Sequence, residues 1–537
     1  MEEPDFVPGT DRIFERNSDC ETNHTKVETL DTTPQSPSSC TGPLNWSLPR
    51  KLWHTFLLLL VTGLTSASAN STWLAQDGMF SEYQIPFDDF DLGSCVLFMG
   101  IGLGTYLLSP MACLYGRRLP YLICISSNII GMIWMSLQRS RQDSIWNQFF
   151  VGASGAVAEA NVQLSLSEIW AGSNRDSALG MYVLVTSVGT LLGPLINSFV
   201  LQYMGWRWIP QISVIVFGIT LVAFYFGFEE TLLDCQAPRK ASILSDYSAF
   251  SSDSKVSSDF FETIGNKRSK DRVCLAADTT PAYWDRIKLV TRAPNLIGYG
   301  FQQYRDRLLK TLQVLAFPAV CYSGLQWGAQ DAWINFYLQI QQDAWMEAPY
   351  NFSQSQSGLM NIATIIGAAV GCLWGGYLSD CFVLCLAKRR NGVSEAEDRL
   401  WMMLPCFVLS PLGLLVFGIG TADSWNHYWS FLGLGMIGFG WGCAGDLSLS
   451  YLMQTYPDMV LEGMVGVSLI NNGLGGLFSL IPTYWLNASG TRNCMIAVSG
   501  LSLCFFLLTI PMMIWGKSCR RWSSKRYQEF LRSRDMI

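Results

Sequence analysis

Read as apolar runs broken by polar punctuation, the chain contains twelve stretches of about 20 largely apolar residues, the length a helix needs to cross a bilayer. They start near Trp53, Ser94, Pro120, Trp146, Ser177, Trp208, Thr311, Gln356, Leu400, Phe431, Gly463 and Cys494. The runs fall into two groups of six. The stretch between the groups is rich in Ser, Lys, Arg and Asp, as in Ser251-Ser252-Asp253-Ser254-Lys255. The pattern predicts an all-α membrane protein with an N-terminal six-helix bundle over 51–228, a cytoplasmic linker over 229–310 and a C-terminal six-helix bundle over 311–516. A basic cytoplasmic tail over 517–537 follows. Residues 1–50 are acidic, Ser/Thr/Pro-bearing and without periodicity, which predicts a disordered cytoplasmic tail.

Basic residues flanking membrane spans stay in the cytosol. Arg117 and Arg118, then Lys388, Arg389 and Arg390, then Lys517, Arg520 and Arg521 all fall on one side. The loop expected from Gln76 to Leu92 carries Asp77, Glu82, Asp88, Asp89 and Asp91 and no base, so it faces outward. Arg139 and Arg141 run against this asymmetry. Both termini are expected in the cytosol, with the first span acting as its own insertion signal. Composition agrees, with half the residues hydrophobic and only 15% charged. The 16 cysteines are scattered singly, which predicts neither a disulfide framework nor a metal site. A net charge of -6 argues against nucleic acid as a partner. Asn70, Asn351 and Asn487 each open a glycosylation sequon on the outward side, and Asn351 is the best placed because the other two lie near the lipid boundary.

Ionisable residues at mid-membrane depth are rare and usually functional. The fourth span holds Glu159, one turn from Gln163 on the same helix face. Asp446, in Gly440-Trp-Gly442-Cys-Ala-Gly445-Asp446, falls in the inner half of the tenth span, and Asp331 at the outer end of the seventh. No Lys or Arg lies deep in any span. Tyr322, Gln326, Trp327, Gln330, Asn471 and Asn472 offer aromatic and amide contacts. The alternative for each acid is a neutral, hydrogen-bonded packing group. Gly100-Ile-Gly102-Leu-Gly104 lies inside an apolar span with no strand before it, so it reads as helix-packing glycine rather than a dinucleotide loop. No nucleophile–base set, zinc spacing or phosphate loop supports an enzyme, and no cofactor is expected.

Three motifs connect these residues to a known family. Gly180, Gly189 and Gly193-Pro194 place small residues and a proline inside an apolar helix, allowing close approach of a neighbour and inviting a kink. Their spacing resembles the antiporter signature of the fifth helix in proton-coupled drug exporters of the major facilitator superfamily, with Asn197 and Ser198 at its usually small last positions. Ser109-Pro-Met-Ala-Cys113-Leu-Tyr-Gly116-Arg117-Arg118 and Gly375-Gly376-Tyr-Leu-Ser379-Asp380, the latter followed by Lys388-Arg389-Arg390, resemble the superfamily's loop signature. In that signature an acid and a basic pair latch the inward gate. The first copy has Ser109 for the glycine and Cys113 for the acid; the second keeps Asp380. The arginine these exporters carry four residues before the position of Gly152 is Gln148 here, so coupling must use another group, and Glu159 is the candidate.

The resemblance covers about residues 45–520 and is nearest, within the fungal twelve-span drug:proton antiporters, to the polyamine and cation transporters. Asn45-Trp-Ser47, Tyr350-Asn-Phe-Ser353 and Leu114-Tyr-Gly-Arg-Arg118 carry that last likeness. It implies the major facilitator fold, two bundles rocking about a midplane site, with the first, fourth, seventh and tenth helices lining the cavity. It further implies a monomer driven by the proton gradient, moving a cationic or amphipathic small molecule across the plasma membrane or, second, a vacuolar or other internal membrane. Export of drugs or secondary metabolites is the first reading, and import of polyamines or other organic cations the second. A non-transporting nutrient sensor is the alternative of another class.

Overall fold

The computed structural model describes residues 8–12, 43–170, 173–232, 283–293, 296, 298–390 and 392–535. Twelve long helices, the last broken at Gly490, run through the described residues and are followed by a thirteenth over Thr509–Asp535. In the N-terminal half they are α1 (Leu48–Ala69), α2 (Phe87–Leu114), α3 (Arg118–Leu137), α4 (141–169), α5 (Ser173–Met204) and α6 (Trp208–Gly227). In the C-terminal half they are α7 (Pro318–Met346), α8 (354–389), α9 (396–422), α10 (His427–Thr455), α11 (Val460–Ser479) and α12 (Pro482–Leu507). Their starts follow local chemistry. Pro49 sits in the first turn of α1, and Ser140 and Ser353 each open a helix with a reciprocal capping box. Eight of the described helical segments are long and apolar enough to span a membrane, and α7 joins them if counted with the bent helix before it. The remaining three, α4, α10 and α11, are as long but carry the polar and small residues that the centre of the molecule uses.

Glycine decides the packing inside each half. A Cβ at Gly100 on α2 would lie 2.5 Å from the Phe149 carbonyl oxygen, and one at Gly152 on α4 would overlap the Leu97 carbonyl. The same contacts recur between α8 and α10, where Gly367 meets the Gly435 carbonyl and Gly438 the Thr364 carbonyl. The chain thus repeats itself in the same order and direction, as halves related about the membrane normal do. Gly189 and Gly193 of α5 abut the backbone of α1 at Gly63 and Ala67, so their seam lies within the N-terminal half. Pro194 lies within α5 without interrupting it.

The halves meet through α2 against α11 and α5 against α8. Ser468 donates to Thr105 at 3.2 Å, and on the outer side Thr483 donates to Asp91 at 2.5 Å and the Ser355 amide to Gln202 at 2.9 Å. Arg141, the base against the charge asymmetry, is neutralised by Asp89 through two contacts of 2.5 and 2.8 Å.

Three expectations are corrected. The seventh span begins at Pro318 rather than near Thr311, because Phe301–Leu312 is a separate amphipathic helix. The expected tail disorder does not hold for Thr10–Arg12. These residues form strand β1, antiparallel to β2 (Val393–Glu395), because the preceding Pro8 carbonyl accepts from buried Arg520 at 2.6 Å while Arg520 pairs with Glu397. Residues 1–7 and 13–42 of that tail, and linker residues 233–282, 294, 295 and 297, lie outside the described residues. Third, the 76–92 stretch is largely helical, with a helix over Gln76–Tyr83 and α2 starting at Phe87.

Candidate functional site: an acid pair between the halves

The helical bonding of α4 widens to a π turn over Val157–Asn161, and Glu159 sits in it, half-buried. Such single-turn bulges re-aim a side chain and break the regular ladder. Behind Glu159, the Gln163 amide donates to the Glu159 carbonyl at 3.2 Å and also bonds the hydroxyl of Tyr182 on α5. Across the interface stands Asp331 on α7, close enough for its charge to act on Glu159 and Tyr182. Its Oδ1 accepts from Trp441 Nε1 at 2.8 Å, and the side chain of Asn471 on α11 bonds it as well. Trp441 of α10 stacks on Trp327 of α7, centroids 6.1 Å apart and planes 17° from parallel. Gly445 makes the room, since a Cβ there would overlap the Trp327 ring.

Each half thus contributes one carboxylate, and the C-terminal half adds an aromatic wall. Among the described residues no Lys or Arg faces either acid. Two half-buried carboxylates facing each other between the halves repel unless a proton or a cation compensates them. The stacked indoles are themselves buried, Trp441 1% and Trp327 4% exposed, and wall the pair on one side.

Asp331 lies mid-way along α7, not at its outer end, because the helix starts at Pro318. Asp446 does not join the pair. It is buried, accepts from Ser450 at 3.4 Å and turns toward α8, where its Oδ2 lies 2.9 Å from the place of a Cβ on Gly376. Gly375 and Gly376 belong to a second π turn, Trp374–Leu378. Gln326 also points elsewhere, donating to the Phe505 carbonyl at 2.5 Å within the C-terminal half. Trp441 and Tyr182 are the site residues that reasoning from sequence passed over. The signal for Trp441 was its position between Gly440 and Gly442, where small neighbours leave an indole free to choose its contacts.

The loops that follow α2 and α8 differ from the latch that the motifs suggest. In the first copy Arg117 bonds Glu168 at 2.8 Å and Cys113 at 3.5 Å, while Glu230 accepts from the Arg117 amide at 2.8 Å. The acid missing at Cys113 is supplied from the ends of α4 and α6. Gly116 makes the turn at φ +104°, where a Cβ would press on Glu230. Arg118 donates to the Tyr225 carbonyl. In the second copy Asp380 pairs with Arg399 at 2.5 Å, and Arg390 with Asp398 at 2.7 Å. Arg389 is exposed at the end of α8, so Arg399 rather than Arg389 is the partner. Gly180 has no neighbour within 4 Å of a Cβ position. Asn351 is exposed in a turn at φ +49°, Asn487 is exposed on α12, and half-buried Asn70 caps α1 through the Ser66 carbonyl.

Two repeated six-helix halves enclosing a polar contact at mid-membrane define a multi-pass membrane transporter. The chain belongs to the Major Facilitator Superfamily, whose profile matches residues 56–479. It is 43% identical to the MFS-type transporter C1271.10c of Schizosaccharomyces pombe, over 99% of this chain and 95% of that one. It is 37% identical to protein HOL1 of Saccharomyces cerevisiae, over 99% of this chain and 98% of that one. In fold it resembles the human organic anion transporter MFSD10 (TETRAN), with a TM-score of 0.52 at 16% identity, covering 86% of this chain and 100% of that one.

Proposed function

We propose that this transporter exchanges protons for small organic cations, with Glu159 and Asp331 as the shared carrier of both, and that its first role is export. The observation that carries the reading is the acid pair itself: one carboxylate from each half, no base beside them, and the Trp327–Trp441 stack adjoining. A cation between the two carboxylates offsets the cost of holding them charged, and a proton does the same by neutralising one of them. The two ligands therefore compete, which is the simplest basis for antiport. Because the acids belong to different halves, occupancy also alters how strongly the halves attract each other at the seam, the coupling that alternating access needs.

The test is transport in proteoliposomes under an imposed pH gradient of either sign, with a panel of amines, neutral drugs and organic anions. Amine movement opposite to the proton flow is the expected result. Movement with the proton would make the protein an importer that keeps the same site. Preference for neutral or anionic compounds, or indifference to the gradient, would overturn the proposal.

A further inference from the structure

The segment that leads from the linker into α7 has features that proton–cation exchange does not require. It is fixed to the cytosolic ends of α2 and α6 by its own polar groups. Tyr283 donates to the Phe226 carbonyl at 2.5 Å, Tyr304 to the Leu107 carbonyl at 2.7 Å, and the Ala293 amide to the Leu114 carbonyl at 3.0 Å. The Tyr299 carbonyl in turn accepts from Tyr115 at 2.6 Å. These bonds set its depth at the level where α2 and α6 leave the bilayer.

At that level it turns aromatic side chains outward: Trp284 is 69% exposed, Phe301 77% and Tyr299 88%. Exposed to water, so many large apolar groups in one short segment would be an aggregation hazard; at a headgroup boundary they are anchors. The charge of the segment points the same way. Between 283 and 312 it carries Arg286, Lys288, Arg292, Arg305, Arg307 and Lys310 against only Asp285 and Asp306. On the inner face of helix Phe301–Leu312, Arg307, Lys310 and Arg534 line a small cavity with Ser109 of α2 and Glu462 of α11, where Arg534 answers Glu462 at 3.6 Å and Lys310 donates to the Ser533 carbonyl at 2.7 Å. The Nε of Arg307 is buried there with no hydrogen-bond partner.

We propose that residues 283–293 and 298–312 form a collar that binds anionic phospholipid headgroups of the cytosolic leaflet, with a headgroup phosphate seated against Arg307 and Lys310. Basic residues near an anionic leaflet gain attraction that zwitterionic lipid does not supply. The cavity touches both halves, through Ser109 and Glu462, so its occupant acts on the cytosolic seam.

The experiment uses the full chain purified in neutral detergent, with thermal stability followed during titration with short-chain phosphatidylserine, short-chain phosphatidylcholine or inorganic phosphate. Phosphatidylserine should raise Tm while the other two leave it unchanged. The R307Q/K310Q variant should bind phosphatidylserine about 25-fold more weakly, about five-fold for each base removed. Equal stabilisation by phosphatidylcholine, an unchanged response of the variant, or reproduction of the shift by inorganic phosphate would each overturn the proposal, the last by assigning the site to a free anion. Should the variant fail to fold, hydrogen exchange of 283–293 and 298–312 in the unmodified protein decides. Slower exchange in nanodiscs containing phosphatidylserine than in phosphatidylcholine alone is expected, and identical exchange would count against the collar.

Discussion

The two halves use one packing plan and two different chemistries. Gly100, Gly104 and Gly152 bring α2 and α4 to backbone contact, and Gly367, Gly371 and Gly438 do the same for α8 and α10. Carrying the register from Gly152 to Gly438 forward places Gly445 opposite Glu159 in the repeat, with Asp446 one residue further on. One residue is about 100° of helix rotation. Glu159 therefore faces the other half, whereas Asp446 faces α8 and the position of Glu159 is filled by the Trp327 ring. The charge lost from α10 is restored by Asp331 on α7. A pair built in this way is asymmetric although its scaffold is not, which suits a site that must respond differently as each half moves.

The strongest way to break this comparison is to exchange the acids. Glu159→Gln and Asp331→Asn should each lower gradient-driven cation transport at least about 100-fold, about 2.7 kcal/mol, while ligand exchange without a gradient survives in Glu159→Gln. Asp446→Asn should keep a normal gradient response. If Asp446→Asn fails and Glu159→Gln transports normally in vesicle flux assays, the assignment of roles is reversed.

Next in size is the shared scaffold. Gly152→Leu and Gly438→Leu each drive a side chain into a carbonyl of the neighbouring helix and should lose folded yield alike, at a cost of about 3 kcal/mol or more. Gly193→Leu should behave the same way, since its seam lies against α1, while Gly180→Leu should be tolerated. Size-exclusion profiles measure all four. Tolerance of the change at Gly152 but not at Gly438 would show that the repeated geometry does not carry equal weight in the two halves.

A smaller effect is expected at Gly445. An alanine there pushes on Trp327 and disturbs the stack that walls the acid pair, so apparent affinity for an amine should fall about ten-fold, about 1.4 kcal/mol. The same substitution should leave the affinity for a neutral ligand nearly unchanged. Binding isotherms with the two ligand types separate these outcomes, and an equal loss for both would reduce Gly445 to a packing role.

The smallest prediction concerns the outer surface, where Arg207 beside Glu82 holds that carboxyl below its usual range. A depressed folded value means the pair contributes fully above the unfolded carboxylate pKa of about 4.3 and is lost as pH falls below it. The contribution should be slight, because both side chains are wet. Tm of Glu82→Gln should therefore approach that of the unmodified protein on acidification below that value, with a small deficit at neutral pH. A deficit that grows with acidification would show that the pair is not what Glu82 contributes.

Hydrophobic periodicity made the long apolar helices and the all-α membrane fold legible, because each span must satisfy its backbone internally and cover itself with apolar residues. Depth along a helix was legible for Glu159 and Asp446, whereas Asp331 was misplaced toward an outer end because the start of α7 at Pro318 was not read from the apolar run. Azimuth was not. Whether Asp446 meets Glu159 or α8 depends on one residue of register and on the π turn in α4. A π turn leaves no compositional trace in Val157-Ala-Glu-Ala-Asn161.

Charge partners divide in the same way. The sequence by itself determined that one set of helix ends is basic, that a glycine-rich α5 approaches another helix closely, and that Glu159 lies mid-way along its helix. These properties follow from local composition and from the cost of polar groups in lipid. Only the tertiary structure decided that Arg117 answers to Glu168 and Glu230, that Asp380 answers to Arg399, and that Pro8–Arg12 docks beside Arg520 and β2. Each of these joins groups far apart in the chain, and such pairings are chosen by which surfaces the folded helices bring within a few ångströms, a property of the whole packing rather than of any window of sequence.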